Sequence, residues 1–196
     1  MIKIGITGGI GSGKSIVSSL LVQSGVPVYT ADSESKQLTN ISPVIQKSMK
    51  EIFGDDIYIN DKLDGKRLAS LIFSNEALLK KVNEIIHPVV REDFLQWVSK
   101  QTTEFCAIES AILYESEFDN EVDVVLMVYA PVELRLTRAM MRDSATEAEI
   151  MRRMNRQMSD DLKRKQADFV IINDERQELK PQIEQFMKTV RGENVI

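Results

Sequence analysis

In 196 residues the chain has one cysteine, one histidine and one tryptophan. A lone Cys106 in an apolar run excludes an intramolecular disulfide and suits a reducing compartment. A lone His87 leaves no His/Cys cluster for a transition metal, and single histidines more often pack or hydrogen-bond than catalyse. No apolar stretch approaches the roughly 18 residues of a membrane helix. The opening MIKIGITGG has neither the apolar core nor the cleavage region of a signal or transit peptide. A net charge of -5 speaks against nucleic acid or an anionic membrane as partner for the surface as a whole. Repeats and low-complexity segments are absent, and nothing sets an oligomeric state. The expectation is a cytoplasmic protein with one α/β core and a modest insertion.

What is present alternates. Ile2, Ile4 and Ile6 mark a first strand ending at Thr7, glycines follow, and apolar residues at helical spacing run over 14–24. Gly25 stops that helix, and 27–29 reads as a short second strand. The next stretch is mostly helical, with expected helices at 32–38, 43–53, 66–73 and 76–100. Pro88 should kink or break the last of them. Apolar runs at 105–108, 122–129 and 167–172 have strand length. The second is almost uninterrupted, as in a strand covered on both faces of a parallel sheet. Helices are expected at 133–142 after Pro131, beyond a cap at Ser144 or Thr146, and at 178–191. Strands alternating with helices indicate an α/β fold: a parallel sheet flanked by helices, with a helical insertion between its second and third strands.

Gly8 to Ser15 reads GGIGSGKS and fits GxxxxGK[ST] in full, between a strand and a helix. Glycines let successive N–H groups turn toward phosphate oxygens, and the helix N-terminus adds partial positive charge. Gly9, Gly11, Ser12, Gly13, Lys14, Ser15 and Ile16 are therefore the expected nucleotide contacts. Lys14 would neutralise the β and γ phosphates, and the Ser15 hydroxyl would ligate Mg²⁺. The bland alternative is a glycine-rich turn without a ligand. A GTPase would add DxxG and NKxD motifs, and neither occurs in the sequence. A motor ATPase needs a longer chain, so a small-molecule kinase is favoured.

Two further features lend themselves to phosphoryl transfer. Asp32 lies just past the second strand, where α/β folds bind ligands; it either holds an attacking hydroxyl or N-caps the next helix. Residues 132–166 carry nine basic side chains against six acidic ones. Arg138 and Arg142 fall on one helical face, able to clamp phosphates as a lid or to decorate a solvated helix. No aromatic stands between Tyr129 and Phe169, which removes the stacking platform of a single-strand nucleic-acid binder.

Together these pieces resemble the dephospho-CoA kinase family. The resemblance rests on IGITGGIGSGKS, Thr30-Ala31-Asp32, Ile85-Ile86-His87-Pro88, AIESAILYE ending at Glu115, and Leu136-Thr137-Arg138 through Arg142-Asp143. It ends in Gln157, Lys163, Ala167-Asp168 and Ile171-Ile172-Asn173. Thr30 stands where the family has an acid, Glu109 where it has Asp and Ala111 where it has Pro. The resemblance implies ATP-dependent phosphorylation of the ribose 3′-hydroxyl of dephospho-coenzyme A. It implies a P-loop NTPase core over about 1–31, 105–131 and 167–196, an acceptor-binding insertion over about 32–104 and a lid over about 132–166. It makes Asp32 the catalytic acid/base, with Lys14, Arg138 and Arg142 beside it. His87 and Glu115 go to the acceptor side, and Asn173 near the adenine. The alternatives are another small-metabolite or nucleoside kinase, or a nucleotide-binding regulatory module without turnover.

Overall fold

The computed structural model describes residues 1–72 and 75–193. Along the chain the first elements are β1 (Ile2–Thr7), α1 (Lys14–Gln23), β2 (Val28–Thr30), α2 (Ala31–Ile41) and α3 (Pro43–Phe53). Then come β3 (Tyr58–Ile59), β4 (Lys62–Leu63), α4 (Gly65–Ile72) and α5 (Glu76–Ser99). The remainder is β5 (Phe105–Glu109), β6 (Val124–Tyr129), α6 (Val132–Asp143), α7 (Glu147–Met154), α8 (Asp160–Gln166), β7 (Phe169–Ile172) and α9 (Leu179–Val190). Two compact units result: Met1–Thr30 with the chain from Gln101 onward, and Ala31–Lys100.

The first unit is built on a five-stranded sheet of order β2-β5-β1-β6-β7. Every pairing in it is parallel, with Ile4 opposite Ala107 on one side and Val124 on the other. Parallel strands need both faces covered, and the near-continuous apolar runs of β5 and β6 meet that need. Ile4, Ile6, Ala107, Leu126 and Val128 pack with Val17 and Leu21 of α1 and with Ile183, Phe186 and Met187 of α9. The expected parallel α/β sheet is the one observed. The strand entries lie later than expected at 122 and 167. There Asp123 accepts from the Lys3 N–H at 2.7 Å and Asp168 from the Val125 N–H at 2.8 Å, so side chains replace ladder bonds. Thr146, not Ser144, caps α7, through a full capping box with Glu149.

In the second unit Ile45, Met49, Ile57, Leu68 and Val82 form a core of their own. Helix α5 runs through Pro88 as one element, so of the two outcomes expected there, a kink or a break, the break does not occur. A mid-helix proline costs about 3 kcal/mol. Val82, Ile85 and Ile86 before it and Val89 after it pack on this core, and burying such side chains stabilises by about 1.5–3 kcal/mol each, which outweighs that cost. The β3–β4 hairpin was not expected. It turns on Asn60 and Asp61, both at positive φ, a geometry these two residue types tolerate. The helix expected over 66–73 is α4; its expected last residue, Phe73, lies outside the described residues.

Candidate active site

The phosphate loop leaves β1 at Thr7 and enters α1 at Lys14. Gly13 is the N-cap residue, at φ 94°, and offers no side-chain cap; the first turn carries no acid. The first N–H groups of α1 thus form an uncapped anion site at the positive end of the helix dipole. Gly11, at φ 79°, and Gly13 both occupy the left-handed region that other residues resist. Ser12 is fully buried beneath the loop, whereas Ser15 and Ile16 stand exposed on the first turn of α1. Lys14 Nζ folds back to donate to the Gly8 carbonyl at 3.0 Å and the Gly9 carbonyl at 3.4 Å.

Three side chains from distant parts of the sequence brace this loop. Asn173 Nδ2 donates to the Ser12 carbonyl at 2.8 Å, and a Cβ on Gly13 would fall on that amide nitrogen. The Asn173 side chain is therefore committed to the loop. Gln157 bridges the loop tip to the β5 side: its Oε1 accepts from the Ile10 N–H at 3.0 Å, and its Nε2 donates to the Ala111 carbonyl at 3.3 Å. Arg135, only 5% exposed, lies against Gly9 and pairs with Asp160 at 2.6 Å. Burial pushes the Asp160 carboxyl up while Arg135 and Lys163 pull it down. Fully buried Lys163 donates to the Ala111 carbonyl at 2.5 Å and pairs with Glu115 at 3.1 Å. Glu115 also accepts from the Met158 N–H at 2.7 Å, so its carboxylate ties the 155–166 segment to the loop after β5.

Arg138 and Arg142 both lie on α6, in different surroundings. Arg138 donates to the Asn173 carbonyl at 3.2 Å and to Glu175 at 3.0 Å, with 25% of its side chain exposed. Arg142 is 61% exposed and pairs with Asp143, which Arg153 also reaches at 2.6 Å. Those two guanidinium groups, Arg142 first, hold the Asp143 carboxyl down at about 2.

In the second unit, α2 starts at Ala31, so Asp32 is its second residue and not its N-cap. Its carboxylate is exposed. His87 is half-buried on α5, one residue before Pro88. The structure thus gathers the loop residues, Asn173 and Arg138 in one unit, while Asp32 and His87 belong to the other.

Glu109, Arg135 and Asp160 stand at the site although sequence reasoning gave them no role there. Glu109 ends β5, and its carboxylate accepts from Ser18 Oγ at 2.7 Å, one helical turn beyond Ser15. Its position beside β1 could have been read from the strand pattern. For Arg135 there was no signal, because a charged residue on the buried stripe of α6 looks like a solvated one. Among the described residues no three His, Cys, Asp or Glu side chains cluster as a metal site, and no helix is long and apolar enough to cross a membrane.

The dephospho-CoA kinase family model matches residues 2–178. The dephospho-CoA kinase of Bacteroides fragilis is 51% identical over 183 residues, covering 93% of this chain and 89% of its own. That of Porphyromonas gingivalis is 45% identical over 192 residues, covering 97% and 95%. A crystal structure from Thermus thermophilus superposes with a TM-score of 0.84 at 31% identity, over 100% of this chain and 98% of that one. With a parallel sheet, an uncapped phosphate loop and matches of this extent, the chain belongs to the dephospho-CoA kinase family.

Proposed function

We propose that the chain transfers the γ-phosphoryl group of ATP to the ribose 3′-hydroxyl of dephospho-coenzyme A, giving coenzyme A and ADP. The strongest support is the uncapped N-terminus of α1 behind a complete GxxxxGK[ST] loop, in a chain of this family. The backbone N–H groups of Gly11, Gly13, Lys14 and Ser15 take the phosphates, while those of Ser12 and Ile16 donate to the Gly9 and Gly13 carbonyls. Lys14 exchanges the neutral carbonyls of Gly8 and Gly9 for charged phosphate oxygens, a stronger class of hydrogen bond. Asp32 holds the 3′-hydroxyl in line and accepts its proton as the new O–P bond forms and the β–γ bridge breaks. Arg138 and Arg142 exchange carboxylates for the charge that spreads over the transferring group. Residues 32–104 take the acceptor, with His87 and the Lys163-paired Glu115 as acceptor-side residues; Asn173 borders the adenine. Residues 132–166 close over the phosphates and keep water from the γ-phosphoryl group.

The donor set fits Mg²⁺, a hard cation that takes oxygen ligands, keeps several waters and needs few protein groups. Ser15 and Glu109 would hold it, since Glu109 lies along the α1 face that carries Ser15 and Ser18. When bound it would offset the charge of the β and γ phosphates. The single buried Cys106 fits a cytoplasmic enzyme.

The test is an acceptor panel with ADP release as readout. Dephospho-coenzyme A should yield coenzyme A and ADP in equal amounts. Asp32→Asn should keep ATP affinity within a few-fold and lower kcat by about 10²–10⁴. ADP formed with a nucleoside but not with dephospho-coenzyme A would overturn the acceptor, and an unchanged kcat would move the acid/base away from Asp32.

A further inference from the structure

Gly9 is required for a reason its own backbone does not supply. Its φ lies outside the left-handed region, so an L-residue could adopt the conformation. The space is taken instead. A Cβ built there would fall inside the Arg135 guanidinium, with Cζ at 2.8 Å and Asp160 Oδ1 at 3.0 Å. The end of a long side chain usually yields to a methyl group. Arg135 is 5% exposed and held by Asp160 at 2.6 Å, so moving the guanidinium aside would break that pair. One residue further along the loop but one, a Cβ on Gly11 would meet the backbone of Arg135 itself. The same residue therefore abuts the loop twice, by side chain at Gly9 and by main chain at Gly11.

We infer that the Arg135–Asp160 pair is a positioning device for the nucleotide phosphates. The buried guanidinium sets the course of the backbone from Gly9 to Gly11, and so the direction of the N–H groups the phosphates meet. The pair is electrically neutral and leaves the charge on phosphate to Lys14 and the loop. A buried ion pair adds little net stability over an apolar replacement, so shape is what it contributes here. This inference rests on the ATP site of the proposed function and not on the identity of the acceptor.

A mutant cycle on the full chain tests it, with two readouts: Kd for a non-hydrolysable ATP analogue with Mg²⁺, and Tm. Gly9→Ala should weaken binding about tenfold, as contacting residues are strongly coupled. In an Arg135→Gln/Asp160→Asn background the guanidinium is gone and no charge is stranded. There the added Gly9→Ala should weaken binding less than about twofold. A role in packing alone would shift Tm and leave Kd in place. The inference is overturned if Gly9→Ala keeps the wild-type Kd, or costs the same factor in both backgrounds. Should the paired variant fail to fold, Arg135→Lys keeps the charge, shortens the reach and serves as the background under the same criteria. A wild-type chain that bound no analogue would count against the proposed ATP site itself, a separate outcome.

Discussion

Residues 132–166 hold their basic side chains in two ways. Arg135 and Lys163 are buried against Asp160 and Glu115, with 6% and 0% of their side chains exposed. Arg142 and Arg153 share Asp143 in the open, 61% and 48% exposed, and Arg138 stands between the two kinds. What separates them is the cost of changing partners. Removing the buried cation of such a pair leaves its partners unmet where water reaches poorly, whereas an exposed member rehydrates. The first kind suits fixed geometry around the phosphate loop. The second can trade a carboxylate for a phosphate. The proposed lid is accordingly anchored along 155–166, by Gln157 and Lys163, and carries its exchangeable arginines on α6 and α7.

The comparison breaks hardest at Lys163. Lys163→Met removes a fully buried cation from the Ala111 carbonyl and from Glu115, whose side chain is 23% exposed and rehydrates in part, and should destabilise the fold by about 2 kcal/mol. For a chain of this size that lowers Tm by roughly 4–8 °C, read by calorimetry. A Tm within 2 °C of wild type, by about one kcal/mol or less, would remove the distinction between the two kinds. Next is the double substitution Arg138→Ala/Arg142→Ala. It should change stability by at most about 1 kcal/mol yet lower kcat more than about tenfold at saturating substrates. Lys replacements should restore only part, because a point charge lacks the guanidinium fork. Wild-type kcat in the double mutant would reduce both arginines to surface decoration.

The smallest effect belongs to Asp143. Its carboxyl is held at about 2 in the fold, below its ordinary 3.8, so the stability it adds is present above about pH 4 and lost as pH falls toward 2. Asp143→Asn should lower stability by at most about 1 kcal/mol at pH 7. The gap in Tm between wild type and mutant should close on acidification to about pH 2.5, and a gap that widened instead would refute this sign.

Legibility in the sequence followed physical cause. The phosphate loop, the parallel strands and α3 were readable because local pattern dictates them: glycines at fixed spacing, apolar runs, Ser42 and Pro43 at a helix start. Arg138 and Arg142 were readable as an i, i+4 pair. Arg135 was not, because its burial is decided by Asp160, 25 residues away, and by the absence of a Cβ at Gly9. The bracing of the loop by Asn173 was hidden for the same reason, since its amide meets Ser12 across 161 positions. Whether Pro88 breaks α5 was not readable locally, because packing on both sides of it outweighs the lost backbone bond. For Asp32 the sequence left a cap position open, and the structure places it one residue inside α2, which starts at Ala31.

The central position of β1 also governs the order in which the molecule can be made. Ile2 pairs with Phe105 and Ile4 with Val124, so the strand at the middle of the sheet has no neighbour until Phe105 has been made. At a synthesis rate of about 5–20 residues per second, β1 waits roughly 5–20 s for β5 to be translated. The Ala31–Lys100 unit emerges meanwhile, with a local core that can consolidate on its own. An unpaired apolar strand is an aggregation hazard during such a delay. Lys3 and Gly5 interrupt the isoleucines of β1, placing a charge and a poor strand former where a nascent chain is most exposed to its neighbours on the ribosome.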